Sequence, residues 1–179
     1  MEKTNRDVSS KPKKSEKRKN RNPAKTGTLS GEEWKDSSIV ECIGSIDEAN
    51  AFLGLARIFS SSSRVRDLLL SLQRTMFKVG CEVSLGEKKI GKKELELLEE
   101  AIREMEKDVE IPHSFLILET SEETAFLNVA RTAVRRAERR AVSLYRKNRV
   151  SLDLVQWLNR LSYLIYLLIL LVGDERIEV

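Results

Sequence analysis

The sequence has one histidine, two cysteines, three prolines and eight glycines, and aromatic residues make up only 6% of its 179 positions. Each scarcity excludes something. His113, beside Pro112, belongs to no Glu-x-x-His pair, so a ferritin-like metal bundle is ruled out and this histidine reads as a loop residue. Cys42 and Cys81 have no metal-ligand spacing and form no disulfide framework, which fits a reducing compartment, the cytoplasm. Little Gly, Pro and aromatic content beside abundant Leu, Glu, Lys and Arg favours helix over sheet. No apolar segment follows the first lysines, so the start does not read as a secretory signal. The most hydrophobic stretch, Leu161 to Val172, falls short of the ~20 apolar residues that cross a bilayer. Upstream it meets Arg160, Asn159 and Asp153, and a buried helix is expected rather than membrane insertion.

Charge, by contrast, is plentiful: 34% of residues are Asp, Glu, Lys or Arg, with a net charge of +4. The excess is concentrated between Lys11 and Lys25, in the run KPKKSEKRKNRNPAK. A basic run without apolar anchors reads as a disordered, solvated arm. No aromatic residue interleaves with it to stack on single strands, so a nucleic-acid contact is the lesser reading. The chain thus divides into a disordered basic tail, residues 1–24, and one helical domain, residues 25–179.

Lys25 to Glu41 reads as irregular, given freedom by Gly27 and Gly31. Five helical segments follow. The first starts at Ser45, where Ser-Ile-Asp-Glu looks like a capping box leading into Ala49, Phe52, Leu53 and Ala56, and it ends in the serine run Ser60 to Ser63. The second carries Val65, Leu68, Leu69, Leu72, Met76 and Val79 at helical spacing. A loop from Leu85 to Gly91 leads to a charged third helix with Leu95, Leu98, Ile102 and Met105 on one stripe. Phe115 to Leu118 is a short apolar stretch of either type. The fourth helix runs from near Ser121 to about Lys147, and the fifth from Ser151 through the apolar C-terminal segment. The fold class is all-α, with the helices packed as an antiparallel bundle.

On the fourth helix Arg131, Arg135 and Glu138 fall within a narrow arc, at ~100° per residue, that borders the apolar stripe. Such charges either point into a groove between helices or belong to an ordinary salt-bridged surface. On the fifth helix Gln156, Asn159, Tyr163 and Tyr166 line one side of an apolar segment. Buried polar groups need partners, so this stripe meets either a ligand or a hydrogen-bond network between helices. Asp47 and Glu48, in the first turn of the first helix, are explained by the helix dipole alone.

Three segments, taken together, resemble one family. KDSSIVECIGSIDEAN resembles the pattern K-D-D-x-x-x-E-x-x-G-x-x-D-E-x-N of the PduO-type ATP:cob(I)alamin adenosyltransferases, through Lys35, Asp36, Glu41, Gly44, Asp47, Glu48 and Asn50. ARTAVRRAERR resembles that family's A-R-x-x-x-R-R-A-E-R, with Arg131, Arg135, Arg136, Glu138 and Arg139 in register, and LNRLS, Leu158 to Ser162, resembles its L-N-R-L-S-D. The order and separation of the three also fit, from Lys25 onward.

The resemblance implies a five-helix bundle assembled as a homotrimer, with ATP and corrinoid at the subunit interfaces. It implies transfer of the 5′-deoxyadenosyl group of ATP to cob(I)alamin with release of triphosphate and a need for Mg2+. A corrinoid reductase or an acceptor enzyme would be a further partner. Reduced cobalt is itself the nucleophile, so no Ser, Cys or His nucleophile is required, and the protein's task is to hold and neutralise a polyanionic leaving group. By the same resemblance, Lys25, Thr26, Gly27 and Lys35 wrap the triphosphate. Arg131 and Arg135 contact ATP, and Asp47 pairs with Arg131 across an interface. Glu138 and Arg139 organise nucleotide and metal, with Glu138 as the metal carboxylate, and Asn159 contacts the nucleotide. Phe115 takes the place of the aromatic that lies against the lower face of the corrin. The chain also departs from the pattern. T-R-T-G-D-x-G becomes AKTGTLSG, F-x-x-P-G-G becomes FLILET with Leu118, Glu119 and Thr120, and Tyr163 replaces the Asp of LNRLSD. These departures motivate the alternative, a relative that binds nucleotide or corrinoid without turnover.

Overall fold

The computed structural model describes residues 22–173 and 177–179. Among them are five helices, α1 (Ser38–Phe59), α2 (Ser63–Leu85), α3 (Lys92–Asp108), α4 (Glu122–Tyr145) and α5 (Leu152–Val172). Four short strands accompany them: β1 (Lys25–Thr28), β2 (Gly31–Trp34), β3 (Leu116–Ile117) and β4 (Ile177–Glu178). The basic run lies outside the described residues up to Arg21.

The five-helix expectation holds, but the segment before it is not irregular. β1 and β2 form an antiparallel hairpin, with Lys25 opposite Trp34 and Thr28 opposite Gly31. Gly31 sits at φ +133°, a conformation that a side chain would strain. Helix α1 begins at Ser38, not Ser45. Ser37 is its cap and accepts from the Val40 amide at 3.3 Å. Ser45, inside the helix, instead returns its hydroxyl to the Glu41 carbonyl at 2.9 Å. Asp47 and Glu48 therefore sit in the helix interior, where the N-terminal dipole cannot account for them.

Serine starts three further helices in the same way: Ser62 caps α2, Ser121 caps α4 and Ser151 caps α5. Gly86, at φ +71°, ends α2 in the left-handed conformation, its amide donating to the Glu82 carbonyl at 2.8 Å.

Helix α1 packs against α2 and α4, and α5 packs against α3 and α4. The α1–α4 pair is antiparallel, marked along its length by Glu41–Arg140, Glu48–Arg136 and the tilted, touching rings of Phe59 and Phe126. The whole of helix α5 is long and apolar enough to span a membrane by length and composition, but it is the buried helix that the sequence leads one to expect. In the bundle its buried residues, among them Trp157, Leu161, Leu164 and Leu168, form the middle of the core.

One buried carboxylate stitches the far end together. Glu82 is fully buried on α2, and its oxygens accept from the amides of Lys89 (2.7 Å), Ile90 (2.9 Å) and Ser151 (2.8 Å). It thereby fixes the α2–α3 loop against the start of α5.

Candidate functional site

Two separate faces of the chain carry the residues singled out from sequence. The first is a recess of about 550 Å³ between the hairpin, α1 and α2. Thr26, Gly27, Asp47 and Asn50 line it, facing Met76, Phe77, Cys81 and Ser84 of α2. The hairpin is held over it by the Leu29 amide, which donates to the Ser84 hydroxyl at 2.8 Å. The contribution of α2 was not legible in the sequence, because no local pattern shows that Phe77 and Ser84 will face residue 26. The two thiols differ: burial pushes Cys42 up to about 12 and leaves it an inert core group, whereas Cys81 lines the recess.

Asp47 has no ion pair among the described residues. Burial raises its pKa above the ordinary carboxylate value, and no cation among the described residues offsets that. Its neighbour Glu48 is satisfied by Arg136 of α4.

A second recess adjoins the first across Gly44. Thr26, Val40 and Gly44 line both, and in the second Arg136 and Arg140 are paired with Glu48 and Glu41, which leaves Lys35 as its unpaired cation among the described residues. A Cβ on Gly44 would meet nothing within 4 Å, so the absent side chain leaves open space where the recesses join. Lys25 does not line either recess. Its ammonium lies 3.5 Å from Glu32 and 5.0 Å above the Trp34 ring, on the hairpin itself.

The other face runs along α4 and α5. Arg131 is half-buried, Arg135 is exposed, and Glu138 accepts from the Asn159 side-chain amide at 3.0 Å. The arc drawn from helical periodicity is therefore present, and α5 reaches it through Asn159. Arg131 donates through Nε to the Asn128 side-chain oxygen at 2.8 Å. Burial lowers its pKa, the adjacent Arg135 lowers it further, and Glu119 acts in the opposite sense. Arg139 turns back along its helix, Nη1 donating to the Arg135 carbonyl at 3.1 Å.

The polar stripe of α5 does not stay on one side. Asn159 faces α4, whereas Tyr163 donates to Glu106 of α3 at 2.9 Å, and Arg160 makes two bonds, 2.5 and 2.8 Å, to Glu99. Helix-to-helix hydrogen bonds satisfy that half of the stripe. Phe115, just before β3, is 86% exposed, a bare apolar ring at one end of the bundle.

Glu138 is the carboxylate expected to meet a metal. No group of three His, Cys, Asp or Glu that could hold an ion occurs among the described residues. A single carboxylate still fits magnesium bound mainly by phosphate oxygens and water.

The family profile described as cobalamin adenosyltransferase matches residues 19–172. A corrinoid adenosyltransferase of Bacillus subtilis (strain 168) is 34% identical over 148 residues, which is 76% of this chain and 75% of that protein. The corrinoid adenosyltransferase PduO of Salmonella typhimurium is 35% identical over 136 residues, 72% of this chain but only 40% of the relative's length. Among solved structures, a variant PduO-type ATP:corrinoid adenosyltransferase from Lactobacillus reuteri, complexed with cobalamin and ATP, superposes with a TM-score of 0.79. It is 22% identical, over 87% of this chain and 94% of that one, and the likeness shows the fold.

Proposed function

Because the chain belongs to the cobalamin adenosyltransferase family, we propose that it transfers the 5′-deoxyadenosyl group of ATP to cob(I)alamin and releases triphosphate. The cobalt lone pair forms the new bond to C5′, and the C5′–O pair leaves with the triphosphate. The observation that carries this reading is the Arg131–Arg135–Glu138 arc, in which a half-buried guanidinium has, among the described residues, no carboxylate on its terminal nitrogens. Such a group is poised for an anion whose charge grows as the bond breaks. When bound, Mg2+ supplies charge neutralisation on the phosphates, and Glu138 is the side chain that would hold it. Thr26 and Gly27 would take part of the nucleotide in the first recess, with Lys35 reached across Gly44. Asn159 would act through Glu138, and Phe115 would meet the corrin.

One chain does not bring these faces together. Among the described residues Asp47 has no ion pair and the terminal nitrogens of Arg131 meet no carboxylate, and the two lie on different faces of the molecule. Helix α1 also leaves Leu55, Ile58 and Phe59 exposed at its end. We read both features as an interface between copies, assembled as a homotrimer, with Asp47 of one copy meeting Arg131 of the next. The assembly would work in the cytoplasm, where Cys42 and Cys81 stay unpaired.

Given reduced cobalamin, ATP and magnesium without oxygen, the protein should form adenosylcobalamin, read from its light-sensitive spectrum. No product beside an active control enzyme would reject the activity, and tight ATP binding without turnover would select the binding-only alternative.

Asp47→Asn gives a separate check. In the lone chain the raised pKa means that the folded state holds its proton longer than the unfolded one. Stability therefore falls as pH rises from the unfolded value of 3.8 through the folded one, and the penalty is complete at neutral pH. Asp47→Asn should thus leave the single chain at least as stable at neutral pH while weakening assembly. Sedimentation should show the wild type at three times 20.5 kDa and the variant shifted toward one copy. A variant that assembles as tightly as the wild type would exclude the Asp47–Arg131 contact.

A further inference from the structure

The segment Phe115 to Thr120, FLILET, carries aliphatic residues and a carboxylate where the family pattern has proline and two glycines. Its course is set by side chains and pairing. Leu116 and Ile117 pair with Glu178 and Ile177, and the Val179 amide donates to the Phe115 carbonyl at 3.1 Å. Further on, the amides of Thr120 and Ser121 donate to the Thr124 hydroxyl at 3.0 and 2.8 Å. Glu119 is thereby fixed at the mouth of α4. Its carboxylate accepts from the Asn128 side-chain nitrogen, and the oxygen of that amide accepts from Arg131 Nε at 2.8 Å.

This relay has only one workable polarity. A carboxylate only accepts and a guanidinium only donates, so the Asn128 amide must turn its nitrogen to Glu119 and its oxygen to Arg131. With Nε engaged by the Asn128 oxygen, the relay orients the guanidinium plane. The two terminal nitrogens of Arg131 make no hydrogen bond among the described residues. Planarity then leaves a two-pronged donor edge suited to phosphate.

We propose that Glu119 is a positioning residue that acts through Asn128 to hold the Arg131 guanidinium with its terminal nitrogens free for the nucleotide phosphates. A glycine at this place has no side chain and cannot do this. The carboxylate also links the loop bearing Phe115 to the arginine face. The inference rests on the ATP reading above.

The test uses the full chain and varies ATP and cob(I)alamin separately, with calorimetric ATP affinity as a readout that needs no turnover. Glu119→Ala and Asn128→Ala should each weaken ATP, in KM and in Kd, by about tenfold, the equivalent of one charge-assisted hydrogen bond. The KM for the corrinoid should stay within about twofold, and the double variant should be no worse than either single one, since both break the same relay. Glu119→Gln keeps an acceptor oxygen for Asn128 and should recover part of the loss. Unchanged ATP binding in Glu119→Ala would overturn the proposal. So would additive single effects, or a loss that tracks a lowered thermal midpoint. A wild type that binds ATP while ignoring Glu119 removes this inference alone, whereas a wild type that binds no ATP removes the reading beneath it.

Discussion

Arg131→Ala is expected to lower kcat/KM for adenosyl transfer by about 10²–10³-fold, the usual cost of deleting one preorganised donor to a developing charge. The thermal midpoint should move little, since Arg131 is only half-buried and its one hydrogen bond goes to Asn128. Arg131→Lys separates charge from shape. Lysine restores a cation but has neither the fork nor the Nε–H that Asn128 holds, so most of the loss should remain. If Arg131→Ala retains full turnover under saturating corrinoid, the guanidinium does not meet the phosphates and the assignment of this face fails. The adjacent Arg135 argues for a real anion site. Two guanidiniums a turn apart repel each other, and burial first, then Arg135, lowers the Arg131 pKa. An anion between them would relieve that repulsion.

Glu82→Ala should cost stability instead. Its buried carboxylate answers three backbone amides, that of Ile90 fully buried and those of Lys89 and Ser151 partly so, and Ala would leave all three without it. An unmet buried donor costs about 1–3 kcal/mol and a partly buried one less, so the sum should come to ~3 kcal/mol, or roughly 10 °C in thermal midpoint for a chain of this size. Glu82→Gln should fall between, because an amide keeps one acceptor oxygen but turns a donor toward amides that also donate. Calorimetric melting decides it. A midpoint within a degree or two of wild type would mean that water replaces the carboxylate and that the α2–α3 loop does not depend on it.

Glu82 also shows why part of the molecule is unreadable from sequence. It sits in an otherwise ordinary helical stripe, and its partners at Lys89, Ile90 and Ser151 are named only once the chain folds back. Asn128 and Glu119 are similar. Neither stands out by spacing, and Glu119 looked like a mere departure from a pattern until α4 placed Asn128 between it and Arg131.

Local information determined a good deal. Period and composition sufficed for five helices and most of their limits, because a helix is made of neighbours three and four apart and its caps are adjacent residues. The same arithmetic put Arg131, Arg135 and Glu138 on one arc. It failed where a local signal had two meanings: Ser45 resembles a cap but lies inside a helix that Ser37 had already begun, and the hairpin from Lys25 to Trp34 gave too short a pattern to read. Only tertiary structure decided that Asp47 lines a recess roofed by Thr26 and floored by α2, that Asn159 and Tyr163 turn to different helices, and that Asp47 and Arg131 lie apart in one chain. Each of these depends on contacts between residues far apart in sequence, and packing energy, unlike helical periodicity, leaves no mark at a fixed spacing along the chain.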